Sequence, residues 1–186
     1  VTGAAGWPPN LKQFRLLVFL IYNAHMKIRD KSALIISILI PLAVGTMSAL
    51  FSGNMLSYSI LDKPAFSPPG FIFPIVWTIL YILMGISSYI VYSSNSPNKP
   101  KALLIYGIQL FFNFCWSIIF FGLDLYLFAF IWLIALIFII IIMIRQFYIV
   151  SPLAAYLQIP YLIWCIFAAY LNFSIFILNW YVKWTD

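Results

Sequence analysis

The chain contains no glutamate. Its acids are Asp30, Asp62, Asp124 and Asp186, and charged residues make up only 8% of its 186 residues. A soluble domain carries about 25%. Folding in water would leave too little polar surface to cover the outside, so hydrocarbon is the solvent this composition demands. Histidine is represented once, by His25, and cysteine twice, by Cys115 and Cys165. The two cysteines sit in separate apolar runs with no CxxC spacing, which reads as two buried free thiols. One histidine and two distant cysteines do not make a zinc or haem-iron ligand set. The apolar runs hold no ionisable side chain except tyrosines and those thiols, so no dark acid–base site is visible. The missing intramembrane carboxylates and bases argue against an ion-coupled transporter.

What remains is largely apolar: 65% hydrophobic and 20% aromatic residues. Five segments reach the roughly 20 apolar residues that a helix needs to cross a hydrocarbon core of about 30 Å. They run from about Ala33 to Ser52, Ile72 to Ser93, Ala102 to Gly122, Leu125 to Ile144 and Leu153 to Leu178. Backbone groups in lipid must be satisfied within the segment, and period-2 alternation is absent, so the fold class is an all-α integral membrane five-transmembrane-helix bundle. Three regions follow: residues 1–32 as an N-terminal extension and lead-in, 33–179 as the membrane domain, and 180–186 as an interfacial tail. Residues 14–22 are apolar but too short to span; they either lie at the interface, helped by Lys12 and Arg15, or belong to an addition of residues 1–25 that leaves Met26 as the natural start.

The connections carry helix-end signals. Ser151-Pro152 offers an N-cap followed by proline at the first helical position. Asp124 is placed to cap the fourth helix, and Pro160 should free the Tyr156 carbonyl and kink the fifth. The long first loop, about Gly53 to Phe71, is stiffened by Pro64, Pro68 and Pro69 and is where a lid or binding surface is expected.

Ten Lys and Arg give a net charge of +6. They lie in short loops, so they read as topology signals and lipid contacts, and no nucleic-acid partner is expected. Lys12, Arg15, Lys27, Arg29, Lys31, Lys99, Lys101 and Arg145 fall on one side of the bilayer, against Lys63 and Lys183 on the other. The positive side faces the cytoplasm, which puts the N-terminus inside and the first loop and C-terminus outside.

Gly45, Ala49 and Gly53 form a small-residue face on the first helix and predict close packing. Gln109, Asn113 and Trp116 share a face of the third helix, and Trp164, Ala168 and Asn172 a face of the fifth. Two readings stand side by side: interhelical hydrogen bonds that hold the bundle, or an aromatic pocket with a few polar groups that orient a ligand. Trp180, Tyr181 and Trp184 suit an interfacial belt, whereas Trp77, Trp116, Trp132 and Trp164 lie too deep for one.

Three stretches are recognisable in this order. The first is Lys63-Pro64-Ala65-Phe66-Ser67-Pro68-Pro69-Gly70, continuing FIFPIVWTILYILMG to Gly85. The second is QLFFNFCWSIIFFG from Gln109 to Gly122, and the third runs from Ser151 to Asn179. Together they resemble the translocator protein (TspO, peripheral benzodiazepine receptor) family over about Ile38 to Asn179. The resemblance implies a receptor or carrier for tetrapyrroles such as protoporphyrin and haem, and for sterol- or benzodiazepine-like molecules in some members. It further implies no obligatory cofactor, and a homodimer in the bilayer. The ligand would lie between the helices under the first loop. Carried onto this chain, the ligand-binding positions are Tyr58, Pro64 and Pro69 in the loop, Asn113 and Trp116 on the third helix, and Trp164, Ala168 and Leu171 on the fifth. Some bacterial members are proposed to degrade protoporphyrin with light and oxygen, which makes an enzyme the alternative function; ion-coupled transport stands third. The chain departs from the family at Ser57 and Phe66, where tryptophan is usual, which weakens the photochemical reading. Phe173 and Ile177 break the sterol pattern of animal members. With the high Ile, Phe and Asn content, this points to a bacterial cytoplasmic membrane.

Overall fold

The computed structural model describes residues 30–53 and 61–179. All the regular structure among them is helical: α1 (Lys31–Phe51), α2 (Ile72–Tyr92), α3 (Lys99–Ser117), α4 (Tyr126–Val150), α5 (Pro152–Tyr156) and α6 (Ile159–Asn179). A π-helical turn, Ile118–Gly122, prolongs α3, and α5 and α6 together make one span, so five helical units are long and apolar enough to cross a bilayer. Tyr58 and the belt residues Trp180, Tyr181 and Trp184 lie outside the described residues, as does the 1–25 segment.

The helices overrun the apolar segments. α3 begins at Lys99 and includes Lys101, and α4 continues past Ile144 through Arg145 to Val150. Loss of hydropathy marks where lipid stops, and a helix can project beyond it with its charges at the headgroups. Lys99 stays close to the preceding span, its Nζ donating to the Tyr92 carbonyl at 3.1 Å.

Two capping expectations need correction. Leu125, and not Asp124, precedes the first residue of α4, and no side chain caps that end. Asp124 adopts a positive φ of 53°, and its Oδ1 accepts a hydrogen bond of 2.9 Å from the Tyr126 hydroxyl. The tight reversal between α3 and α4 takes up the residue that was to cap. Ser151 does stand at the N-cap of α5 with Pro152 first in the helix, but its hydroxyl makes no capping bond. The kink at Pro160 is present: the helix breaks between Tyr156 and Ile159, and Gln158 N–H turns back to the Ala155 carbonyl at 3.0 Å.

α4 packs along both α3 and α6, while α2 lies against α3 and α5. α1 is the least embedded, with only Pro41 and Ser48 of its residues buried. It is held at a few close points. Ser48 Oγ donates to the Phe114 carbonyl at 2.8 Å, and Ser52 Oγ lies 3.0 Å from Ser117 Oγ. Gly85 of α2 lets the backbones meet: a Cβ there would stand 2.5 Å from Ile38 Cα. Gly45 faces the Tyr81 ring, as its small-residue face predicts. Gly53 does not join that face. It is exposed, nothing lies within 4 Å of a Cβ built there, and its φ of 71° suits it to ending α1.

Met84, Leu133, Leu136, Ile140, Met143, Phe147, Tyr161 and Ile175 are fully buried between the helices. Ile131, Phe138, Ile142, Ile149, Ile163 and Ile166 point outward and are exposed. In water this surface would drive aggregation; in a bilayer it is the lipid-facing coat.

Candidate functional site

Successive spans reverse direction, so the third and fifth run parallel and the second runs against both. This brings the polar residues of three helices to one level. The Tyr81 hydroxyl on α2 donates to Asn113 Oδ1 on α3 at 2.9 Å. Asn113 Nδ2 donates to the Tyr161 hydroxyl on α6 at 3.2 Å, and that hydroxyl donates to Gln109 Oε1 at 2.9 Å. All four residues are buried. Unpaired in lipid, each group would be costly; the chain of bonds satisfies both hydroxyls, both ends of the Asn113 amide and Gln109 Oε1, leaves Gln109 Nε2 without a partner, and ties α2, α3 and α6 together.

A second bridge lies nearer the first loop. Trp116 Nε1 donates to Asn172 Oδ1 at 3.3 Å, and Asn172 Nδ2 donates to the Tyr126 carbonyl at 2.9 Å. Trp132 Nε1 donates to the Phe112 carbonyl at 2.9 Å, with its ring stacked on Phe112 at 4.5 Å. Both amide groups of Asn113 and of Asn172 are therefore engaged in holding helices, as the first of the two sequence readings has it.

Trp164 is different. Its ring is half-buried, yet its Nε1 is shut off from solvent and has no hydrogen-bond partner. Around it stand Phe73 at 5.9 Å and Phe167 at 5.6 Å between ring centroids. Further down the same gap between α2 and α6, Trp77 stacks on Tyr81 at 5.4 Å and meets Tyr161 edge-on at 6.2 Å. One and two turns beyond Trp164 on α6, Ala168 and Leu171 are buried. The result is an aromatic site between the second and fifth spans. The tyrosine–amide chain forms its inner end, and the first-loop end lies opposite.

The loop positions divide. Pro64 is half-buried and its carbonyl accepts from Ser67 N–H at 3.0 Å; Pro69 is exposed and its carbonyl accepts from Ile72 N–H at 2.9 Å at the start of α2. Leu61 packs on the core. Among the described residues there is no cluster of His, Cys, Asp or Glu able to hold a metal, and the site has no formal charge. Trp77 stood out in sequence as a deep tryptophan; Tyr81, Tyr161 and Phe73 did not. A tyrosine or phenylalanine among eighteen Phe and twelve Tyr carries no signal of its own. Adjacency to Pro160, which sets the kink, was the one available cue for Tyr161.

Fold and site together define a polytopic helical integral membrane protein with an uncharged aromatic site between its second and fifth spans. The chain belongs to the TspO/MBR family, whose model matches residues 37–178. It is 39% identical to the tryptophan-rich protein TspO of Archaeoglobus fulgidus over 148 residues, 78% of this chain and 96% of the relative. It is 34% identical to the tryptophan-rich sensory protein of Cereibacter sphaeroides over 132 residues, 66% of this chain and 77% of the relative. Against the human translocator protein it is 36% identical over 121 residues, 63% of this chain and 72% of the relative.

Proposed function

We propose that this chain is a membrane receptor or carrier that binds tetrapyrroles such as protoporphyrin and haem between its second and fifth spans. The observation that carries the reading is the Trp164 indole N–H, buried among aromatic rings without an acceptor. Trp116 and Trp132 each spend their N–H on the protein, whereas Trp164 keeps its own. An isolated buried donor is costly, and a guest that brings an acceptor repays that cost. A porphyrin is a flat apolar ring, suited to the faces of Trp77, Trp164 and Phe73, and it brings acceptors in its propionate carboxylates. Lys63, exposed at the loop end, offers the propionates a counter-charge.

Quenching of tryptophan fluorescence by protoporphyrin tests this. Trp164→Ala is expected to weaken affinity by about tenfold or more, since stacking area and the free donor, worth about 1–3 kcal/mol, are lost together. Unchanged affinity removes the site. Lys63→Ala is expected to cost threefold or less at physiological salt, because the charge is exposed and screened.

The same reading includes a prokaryotic cytoplasmic membrane with the N-terminus inside, supported by the charge asymmetry and by the prokaryotic relatives. It also includes a homodimer, which light scattering in detergent measures directly.

A further inference from the structure

Asn179, the last residue of α6, grips the main chain of Asp62 at both of its polar groups. Asn179 Nδ2 donates to the Asp62 carbonyl at 3.0 Å, and the Asp62 N–H donates to Asn179 Oδ1 at 3.1 Å. The amide is itself steadied by a bond from Nδ2 to the Ile175 carbonyl, one turn back, at 2.8 Å. The side chain thus imitates a neighbouring strand, and it does so without using the Asp62 carboxylate. Among side chains only the carboxamides of Asn and Gln set a neutral donor and acceptor side by side in this way.

What the grip holds is short and stiff. Residues 61–71 run from the end of α6 to the start of α2, so they bridge the two spans that enclose the aromatic site. Pro64, Pro68 and Pro69 fix φ at three positions, and two turns (Ser67 N–H to Pro64 and Ile72 N–H to Pro69) fold what lies between. A stiff segment transmits a restraint at one end to the other, where Phe73 packs on Trp164. The two bonds to Asp62 are exposed to solvent. Exposed hydrogen bonds contribute little net stability, so the grip opens and closes reversibly.

We infer that Asn179 is a latch that holds residues 61–71 across the mouth of the site and sets how fast a guest enters and leaves. The inference rests on the site's binding an apolar guest, as proposed above. The latch is made by protein groups alone, so it holds equally with the site filled or empty. Loosening it speeds entry and release together and leaves the equilibrium affinity nearly unchanged. Asn179 is a positioning residue: it touches the strap and not the guest.

The test uses the full chain in nanodiscs, with stopped-flow protoporphyrin quenching and amide hydrogen exchange. Asn179→Ala is expected to raise the association and dissociation rates by about tenfold each while the equilibrium constant moves less than threefold. Asn179→Asp, which keeps size and acceptor but loses the donors, should do nearly the same, which separates the latch from bulk packing. Leu178→Ala, an exposed neighbour, should leave both rates unchanged. The Asp62 amide is expected to exchange several times faster in Asn179→Ala than in the parent chain, whereas Asn179→Asp, which keeps the acceptor for that amide, accelerates it less. A rise in dissociation alone, or no change in either rate, overturns the gating. An Asp62 exchange rate that Asn179→Ala leaves unmoved overturns the latch itself. Exchange is measured without ligand, so if protoporphyrin fails to bind, the function proposed above falls while the latch is still decided.

Discussion

Tyr161 serves two bonds with one hydroxyl, accepting from Asn113 Nδ2 and donating to Gln109 Oε1. Tyr161→Phe keeps the ring and strands both amide groups in a buried place. The cost per stranded group is about 1–3 kcal/mol in soluble proteins, and interhelical bonds in bilayers average about 0.6 kcal/mol, so a total near 1–3 kcal/mol is expected. Thermal unfolding in detergent should show a lowered midpoint, and an unchanged one would mean the bonds hold nothing. Gln158 predicts the opposite sign. It is fully buried at the break between α5 and α6, and neither its Nε2 nor its Oε1 has a partner. Gln158→Leu removes two unsatisfied groups at nearly constant volume, so the midpoint should rise by the equivalent of about 1–3 kcal/mol. A fall would show that the amide is satisfied by something other than protein. At this scale the sequence was partly legible. Asn113 and Asn172 announced themselves because amides are scarce in apolar runs. Tyr81 and Tyr161 did not, because tyrosine counts as apolar until a structure shows where its hydroxyl lands.

Among the helices, the informative contacts are made by residues with almost no side chain. Gly85 lets α1 and α2 touch backbone to backbone, and a Cβ there would stand 2.8 Å from the Ser37 carbonyl oxygen. Backbone cannot step aside as a flexible side chain can, so Gly85→Val must part the helices and is expected to cost about 1–3 kcal/mol or more. Gly45→Ala presses on the Tyr81 ring, whose hydroxyl anchors the bond chain. It should therefore lower protoporphyrin affinity as well as stability, whereas Gly107→Ala, on an open face, should do neither. Equal thermal midpoints for all three variants and the parent would refute the packing account. Helix number and type were readable from hydropathy alone, because lipid imposes one length and one hydrogen-bonding solution. Helix ends were not. The cap expected at Asp124 failed because a tight reversal takes up that residue, whereas Ser151 stands at its expected N-cap position without a side-chain bond. The role of Gly85 was equally hidden, since close approach depends on which helix lies opposite.

For the whole molecule, the bilayer settles most of the architecture, and the proposed orientation rests on the distribution of charge. Asn95→Cys, in the exposed second loop, should react with a membrane-impermeant maleimide only after cells are broken; Ala65→Cys, in the exposed first loop, should react in intact cells. Labelling in the reverse pattern would invert the topology. The site was legible in outline only. The fifth-helix face of Trp164, Ala168 and Asn172 follows from spacing, but which tryptophan retains a free N–H depends on what each meets across the bundle, and no local pattern encodes that.

The row of bonds from Tyr81 through Asn113 and Tyr161 to Gln109 has a property that none of its members has singly. Each amide offers hydrogens on one side and lone pairs on the other, and each hydroxyl has one proton to give. Turning one amide alone sets hydrogen against hydrogen at one junction or lone pair against lone pair at the next. The row thus admits two polarities in which every bond runs the same way along it. A demand made on the Tyr81 oxygen is answered at Gln109, on a different helix, when the whole row reverses in concert.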